Sequence, residues 1–314
     1  MQIPVFDLHC DTALALLGDS MQACGSLMKN AGHLDLERAK QLGGYAQCFA
    51  CFTTEPYRDI SPVELFEREM VSVLREVEKN SDAIQLAYCA EDVENNYKNG
   101  IMSAILTIEG TAGIGYDPEL LQDLHAIGFR MTTLGWNEKN KLTGSCLTGG
   151  GLTDLGSTYV KEAQRLGMIV DVSHISDEAF WHIMDITDAP IVASHSNSRA
   201  ICNVPRNLTD DMFIAICKTG GVAGLNLYAD FVGGEVTLDA LCDHIFHYME
   251  LDPDGKHIAL GGDLDGCDKL ISGFNGINDY AILAAHLLKR GIGESTIYNI
   301  FWNNALGVMK RCCI

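Results

Sequence analysis

The chain has 314 residues, of which 47% are apolar and 20% charged, with a formal net charge of −20. Enough apolar surface is present to offset the entropy of ordering, so extended disorder is excluded. The acidity argues against nucleic-acid and anionic-membrane partners, which need clustered Lys and Arg.

Nine short apolar runs read as strands buried on both faces. They are Ile3–Cys10, Ala46–Phe52, Ala83–Tyr88, Met102–Ile108, Phe129–Leu134, Met168–Ser173, Ile191–Ser194, Gly221–Leu227 and His257–Gly262. Between them lie amphipathic stretches. In Pro62–Lys79, Val63, Leu65, Phe66, Met70, Val73, Leu74 and Val77 recur at helical spacing. Leu155–Leu166, Asp177–Ile186, Thr209–Lys218, Leu238–Leu251 and Asn278–Lys289 follow the same period. Ser61 with Glu64 reads as a capping box, and Ser176 as a second start signal. About eight strand–helix units without a linker predict an α/β fold, a single (β/α)8 barrel domain over residues 1–314, with an open doubly wound sheet as the alternative.

No run approaches the roughly 18 apolar residues of a spanning helix. The start, MQIPVFDLHCDT, lacks the basic region of a signal peptide, and no lipid-anchor tail is visible, so a cytoplasmic location is expected. The 12 cysteines sit mostly in apolar runs and read as reduced core thiols, the Cys48-x-x-Cys51 pair included. Cys312-Cys313 reads as an exposed tail.

Chemistry-bearing side chains stand at the ends of the runs. They are His9 and Asp11, Glu109, His174, His195, and Asp263 with Asp265. In parallel α/β folds the C-terminal strand ends form the site. A lone His after an apolar run is ordinarily a structural residue. Three such His with carboxylates, all at strand ends, point to a borderline divalent metal such as Zn²⁺. His9 and Asp11 are two apart and project the same way, and His174 and His195 lie about one unit apart. Two metals sharing Glu109 could hold a hydroxide and polarise a carbonyl. His182, His244, His247 and His286 fall in helical patterns and read as ordinary. Asp263-x-Asp265 opens like a calcium loop, but Phe274 stands where that loop needs Glu. Arg206, eleven residues after His195, either pairs with Asp210 or Asp211 or presents a fork to a substrate carboxylate or carbonyl.

Together the stretches DLHCDT (7–12), TIEG (107–110), GLTDLG (151–156), GMIVDVSH (167–174), PIVASHSNSRAICNVPRNLTDD (190–211), GGVAGLNLY (220–228) and GGDLDG (261–266) resemble the renal (membrane) dipeptidase family of zinc peptidases. The resemblance implies a (β/α)8 barrel with two zinc ions. His9 and Asp11 would hold one, His174 and His195 the other, and Glu109 would bridge them, with Mn²⁺ or Co²⁺ able to substitute. It implies that Arg206 grips the substrate, that Asp263 meets the substrate amine or relays a proton, and that Tyr228 lies on the substrate side. One departure concerns the loop after the fifth strand, where the animal enzymes have His and this chain has Trp136, as in many bacterial relatives.

The expectation is a zinc dipeptidase acting on small dipeptides, including those with a C-terminal D-residue, through a hydroxide between two zinc ions. The family's tendency to dimerise makes a homodimer the expected assembly. The alternatives are an amidohydrolase or deaminase, whose barrels usually open with His-x-His, and a metal-binding relative without turnover.

Overall fold

The computed structural model describes residues 2–18, 25–54 and 59–313. The described residues contain nine parallel strands: β1 (Pro4–Cys10), β2 (Gly44–Phe52), β3 (Ile84–Leu86), β4 (Met102–Glu109), β5 (Phe129–Thr133), β6 (Ile169–Asp171), β7 (Ile191–Ala193), β8 (Val222–Leu225) and β9 (Ile258–Leu260). They run in the order β2-β1-β9-β8-β7-β6-β5-β4-β3, and β2 also pairs with β4. That last pairing closes a barrel of eight staves, which the run Ala83–Tyr88 does not join. β3 pairs only with Met102–Ala104, while β5 takes Leu106–Glu109 higher on the same strand. The third run therefore fills the lower gap beside β4.

The helices start where side chains can satisfy their free N–H groups. Ser61 accepts from Glu64 N, Ser176 from Ala179 N, Thr209 from Met212 N and Thr237 from Ala240 N. The helix Pro62–Lys79 buries Leu65, Phe66, Val73 and Val77, but Val63 is exposed and Glu69 takes a core position.

Inside the barrel, Phe6, Leu8, Ile105, Met131, Ile169, Val192 and Ala259 form an apolar floor. The last helix, Asn304–Cys312, closes that floor with Ala305, Val308 and Met309, and Trp302 stacks at a tilt 5.9 Å from Phe6. Cys312 and Cys313 are thus buried, not an exposed tail; the barrel bottom needs an apolar cover, and the chain end supplies it. Cys48 and Cys51 are both buried free thiols. No described helix is long and apolar enough to cross a membrane.

Candidate active site

The site begins with a change of phase in β1. Phe6 and Leu8 face the barrel interior, so simple alternation would send Cys10 inward next. The pairing with β2 shifts register between Asp7 and Cys10, Cys10 joins the outer core, and His9 meets the interior Glu109. A bulge of this kind re-aims side chains beside a site. Asp7 holds it from behind: it accepts from His9 N at 2.9 Å, from Gly262 N at 3.1 Å, and from the Tyr280 hydroxyl. On β4 the phase is undisturbed, and Glu109 shares the inward face of Ile105.

The predicted residues converge. His9 Nε2 lies 3.4 Å from Asp11 Oδ2, 3.3 Å from Glu109 Oε2 and 4.0 Å from Asp263 Oδ1. The other oxygen of Glu109, Oε1, is 3.0 Å from His174 Nε2 and 3.8 Å from His195 Nε2. Glu109 thus turns one oxygen to the His9–Asp11 side and the other to the His174–His195 side. Two sets, His9–Glu109–His195 and His9–Asp11–Asp263, have metal-ligating atoms mutually within 4.8 Å. Asp263 therefore stands among the ligand-capable carboxylates that the strand ends bring together, although the family resemblance implies a substrate-side role for it. A Cβ on Gly266 would collide with the carboxylates of Asp11 and Asp263, so only glycine leaves them room. His174 and Asp263 both hold left-handed backbone, φ 69° and 55°. Such strain persists only where the surroundings enforce it, and it collects at functional sites.

The imidazole tautomers follow from their outer partners. Ser194 Oγ donates to Asp171 Oδ2 at 2.5 Å, so at 2.6 Å it accepts from His195 Nδ1–H. Asp171 is fixed in turn by Ser173 N, Ser194 N and Thr133 Oγ1 at 2.7–2.9 Å. His174 Nδ1 lies 3.0 Å from the carbonyl Oδ1 of Asn137 and must donate to it. Both Nε2 atoms then carry lone pairs, yet they face one another at 3.0 Å. His9 Nε2, buried beside them, has no hydrogen-bond partner among the described residues. Apart from the Arg206 Nη2 donor at His174 Nε2, the lone pairs of His174 and His195 face each other and the Glu109 carboxylate, and imidazole with carboxylate fits zinc and its neighbours. Asn137 and Ser194, which hold imidazole rings, Asp171 behind Ser194, and Asp7 on the His9 backbone N–H all escaped the sequence reading. Their only signal was proximity: each stands within three residues of a motif His, except Asn137, next to Trp136.

Burial lowers His9, but Glu109 and Asp11 outweigh it and hold it well above the usual imidazole range, whereas the other two imidazoles are pushed toward the neutral form. Burial lowers His174 and Arg206 lowers it further, and His195 is held well below the usual imidazole range by burial, His9 and Arg206. Neutral imidazoles are the ligating form. Burial pushes Glu109 up, but His9 and His174 outweigh it and hold it below the usual carboxylate range. Burial and the charge of Glu109 raise Asp11 to about 7.

Arg206 does not pair with Asp210 or Asp211. Its guanidinium is buried, sits 5.2 Å from the Phe231 ring, and directs Nη2 at His174 Nε2, 3.0 Å away. Its Nε and Nη1 have no hydrogen-bond partner among the described residues. A small cavity lined by Arg206, His174, Cys146 and Ser196 adjoins it. Trp136 packs edge-on against Phe52 at 5.0 Å and stands 6.1 Å from the His174 ring, forming one wall. Tyr228 is at the edge, its hydroxyl 3.2 Å from Asp230. The four helical His are occupied elsewhere: His244 by Ser198 N, His247 by Asp210, His286 by Asp239 and His182 by Leu152 N.

The membrane dipeptidase model, peptidase family M19, matches residues 1–312. A dipeptidase of Schizosaccharomyces pombe, itself uncharacterised, is 32% identical over 225 residues, which are 69% of this chain and 55% of that protein. The dipeptidase verJ of Clonostachys rogersoniana is 29% identical over 98% of this chain and 84% of its own length. Among solved structures, a metallopeptidase from Rhodobacter sphaeroides liganded with a phosphinate mimic of L-Ala-D-Ala superposes with a TM-score of 0.89. It is 25% identical and covers 99% of this chain and 100% of its own. A dipeptidase assigned to family M19 gives 0.90 at 26% identity, over 99% of each chain. With the eight-stave barrel and the convergent His and carboxylate groups, these matches establish that the chain belongs to the membrane dipeptidase family, peptidase family M19, a family of metallo-dipeptidases.

Proposed function

We propose that this protein hydrolyses the peptide bond of dipeptides with two zinc ions, His9 and Asp11 holding one, His174 and His195 the other, and Glu109 bridging them. The observation that carries the reading is the split of Glu109, one oxygen toward each pair of side chains. When bound, the two ions would supply a water acidified toward a pKa of about 7 and polarise the scissile carbonyl.

The chain's own residues do the rest. Arg206, with two buried donors left over, takes the substrate's C-terminal carboxylate. Asp263, 4.0 Å from His9 Nε2, receives the dipeptide's amine, accepts the proton lost by the attacking water and passes it to the leaving nitrogen as the C–N bond breaks. Trp136 packs against one substrate side chain, and Tyr228 borders the substrate from the rim. Gripping both termini favours a two-residue peptide, because a third residue displaces one end from its partner. The L-Ala-D-Ala mimic bound by the Rhodobacter relative supports including substrates with a C-terminal D-residue.

The test is amino-acid release from L,L- and L,D-dipeptides and matching tripeptides, at neutral pH with zinc. Release from dipeptides alone is expected. Zinc binding without release from any dipeptide would refute the reading and favour a relative without turnover.

A further inference from the structure

Three asparagines, Asn207, Asn197 and Asn226, are buried to 1%, 0% and 0% relative exposure beneath the substrate side of the site. Such burial is costly for an amide unless every polar atom is paired. Every one is. Asn207 Oδ1 accepts from Asn197 N at 3.3 Å, and its Nδ2 donates to the carbonyls of Cys202 and Phe231, both at 2.9 Å. Asn197 Oδ1 accepts from Asn226 N at 2.9 Å, and its Nδ2 donates to the carbonyls of Asn226 at 3.0 Å and Phe231 at 3.3 Å. Asn226 Oδ1 accepts from Tyr228 N at 2.7 Å, and its Nδ2 donates to the His195 carbonyl at 3.3 Å and to Asp263 Oδ2 at 3.0 Å. The three side chains form an unbroken ladder across the loops that follow β7, β8 and β9.

Its two ends are what give it meaning. One end is Asn207, the residue after Arg206, and two rungs also grip the carbonyl of Phe231, whose ring carries the Arg206 guanidinium. The other end is the carboxylate of Asp263, on a strained left-handed residue that cannot aim itself. A fully satisfied buried network has one low-energy arrangement and resists stretching.

We propose that Asn207, Asn197 and Asn226 are positioning residues that fix the separation of Arg206 from Asp263 and so set the peptide length the site accepts. The inference rests on the proposed roles of Arg206 and Asp263 at the two ends of a dipeptide.

The test compares kcat/KM for a dipeptide, its N-acetyl form, its C-terminal amide and a tripeptide. In the wild type, acetylation and amidation should each cost about 10–100-fold, the worth of one charge-assisted contact. Asn226→Ser should raise KM, erase most of the acetylation penalty, keep the amidation penalty and retain wild-type zinc. Asn207→Ser should do the reverse, and both variants should gain relative activity on the tripeptide. Variants that lose activity but keep both penalties at wild-type size would show a merely structural ladder and overturn the proposal. Should the variants fail to fold, crystal structures of the zinc-loaded wild type with and without a phosphinate dipeptide mimic decide the matter. An intact ladder and an unchanged Arg206–Asp263 separation are expected; a rung broken on binding would overturn the gauge. A wild type that cleaves no dipeptide refutes the proposed function and the gauge with it, whereas unchanged end penalties in active variants refute the gauge alone.

Discussion

Ser194→Ala is the sharpest probe of the two-sided arrangement. The hydroxyl it removes is the acceptor for His195 Nδ1–H at 2.6 Å and a donor to Asp171 at 2.5 Å. Asp171 keeps three donors, from Ser173 N, Ser194 N and Thr133 Oγ1, so its carboxylate stays in place. His195 fares differently, because it is 1% exposed and water cannot replace the lost acceptor. An unsatisfied buried donor costs about 1–3 kcal/mol. At 1.4 kcal/mol per tenfold, that is a loss of about 10–100-fold in affinity for an ion held through Nε2, in line with other outer-partner substitutions. Among the described residues no hydrogen bond links Ser194 to His9 or Asp11, so the loss should fall on one ion of two. Competition against a chromogenic chelator would read this as two classes of zinc, one tight and one weakened. Two equally tight ions, or two equally weakened ones, would refute the assignment of His195 to a separate half of the site.

Glu109→Gln should weaken metal affinity by more than the roughly 100-fold cost of losing an outer partner and leave fewer than two ions per chain; two ions retained would end the bridging role. Arg206→Ala should leave zinc content unchanged and lower kcat/KM for dipeptides about 10–100-fold, and wild-type kinetics would remove Arg206 from the site. Asp263→Asn should keep zinc and lower kcat by about 10²–10⁴-fold, and full activity would make Asp263 purely structural. Glu69, buried on the helix Pro62–Lys79 and accepting among the described residues only from Phe52 N at 2.6 Å, has its carboxyl raised well above the usual range by burial. A raised carboxyl pKa in the folded state means stability that is full below the unfolded pKa and falls as pH rises, by about 1.4 kcal/mol per unit. Glu69→Gln keeps the acceptor and removes the titration, so in chelator-treated protein its Tm advantage should widen between pH 5 and 8. A constant gap across that range would refute an uncharged Glu69.

The sequence by itself carried the barrel and most of the residues that converge at the candidate site. Strands buried on both faces read as continuous apolar runs, and the metal-type side chains follow those runs directly, so type and position were both legible. Spacing placed His9 with Asp11 and Glu109 after β4, and the named motifs identified the family. Four things were decided only by tertiary structure. β3 looks like a stave in one dimension, yet closure of β2 onto β4 leaves it outside the barrel. The register shift after Asp7 is what turns His9 inward, and it exists only in the pairing of β1 with β2. The burial of Cys312 and Cys313 depends on an open barrel bottom that no local pattern records. The partners of the site residues, Ser194 with Asp171, Asn137, and the Asn207–Asn197–Asn226 ladder, are polar residues in loops, with no periodicity to betray them. Burial makes their hydrogen bonds decisive, and burial is a property of the folded chain alone.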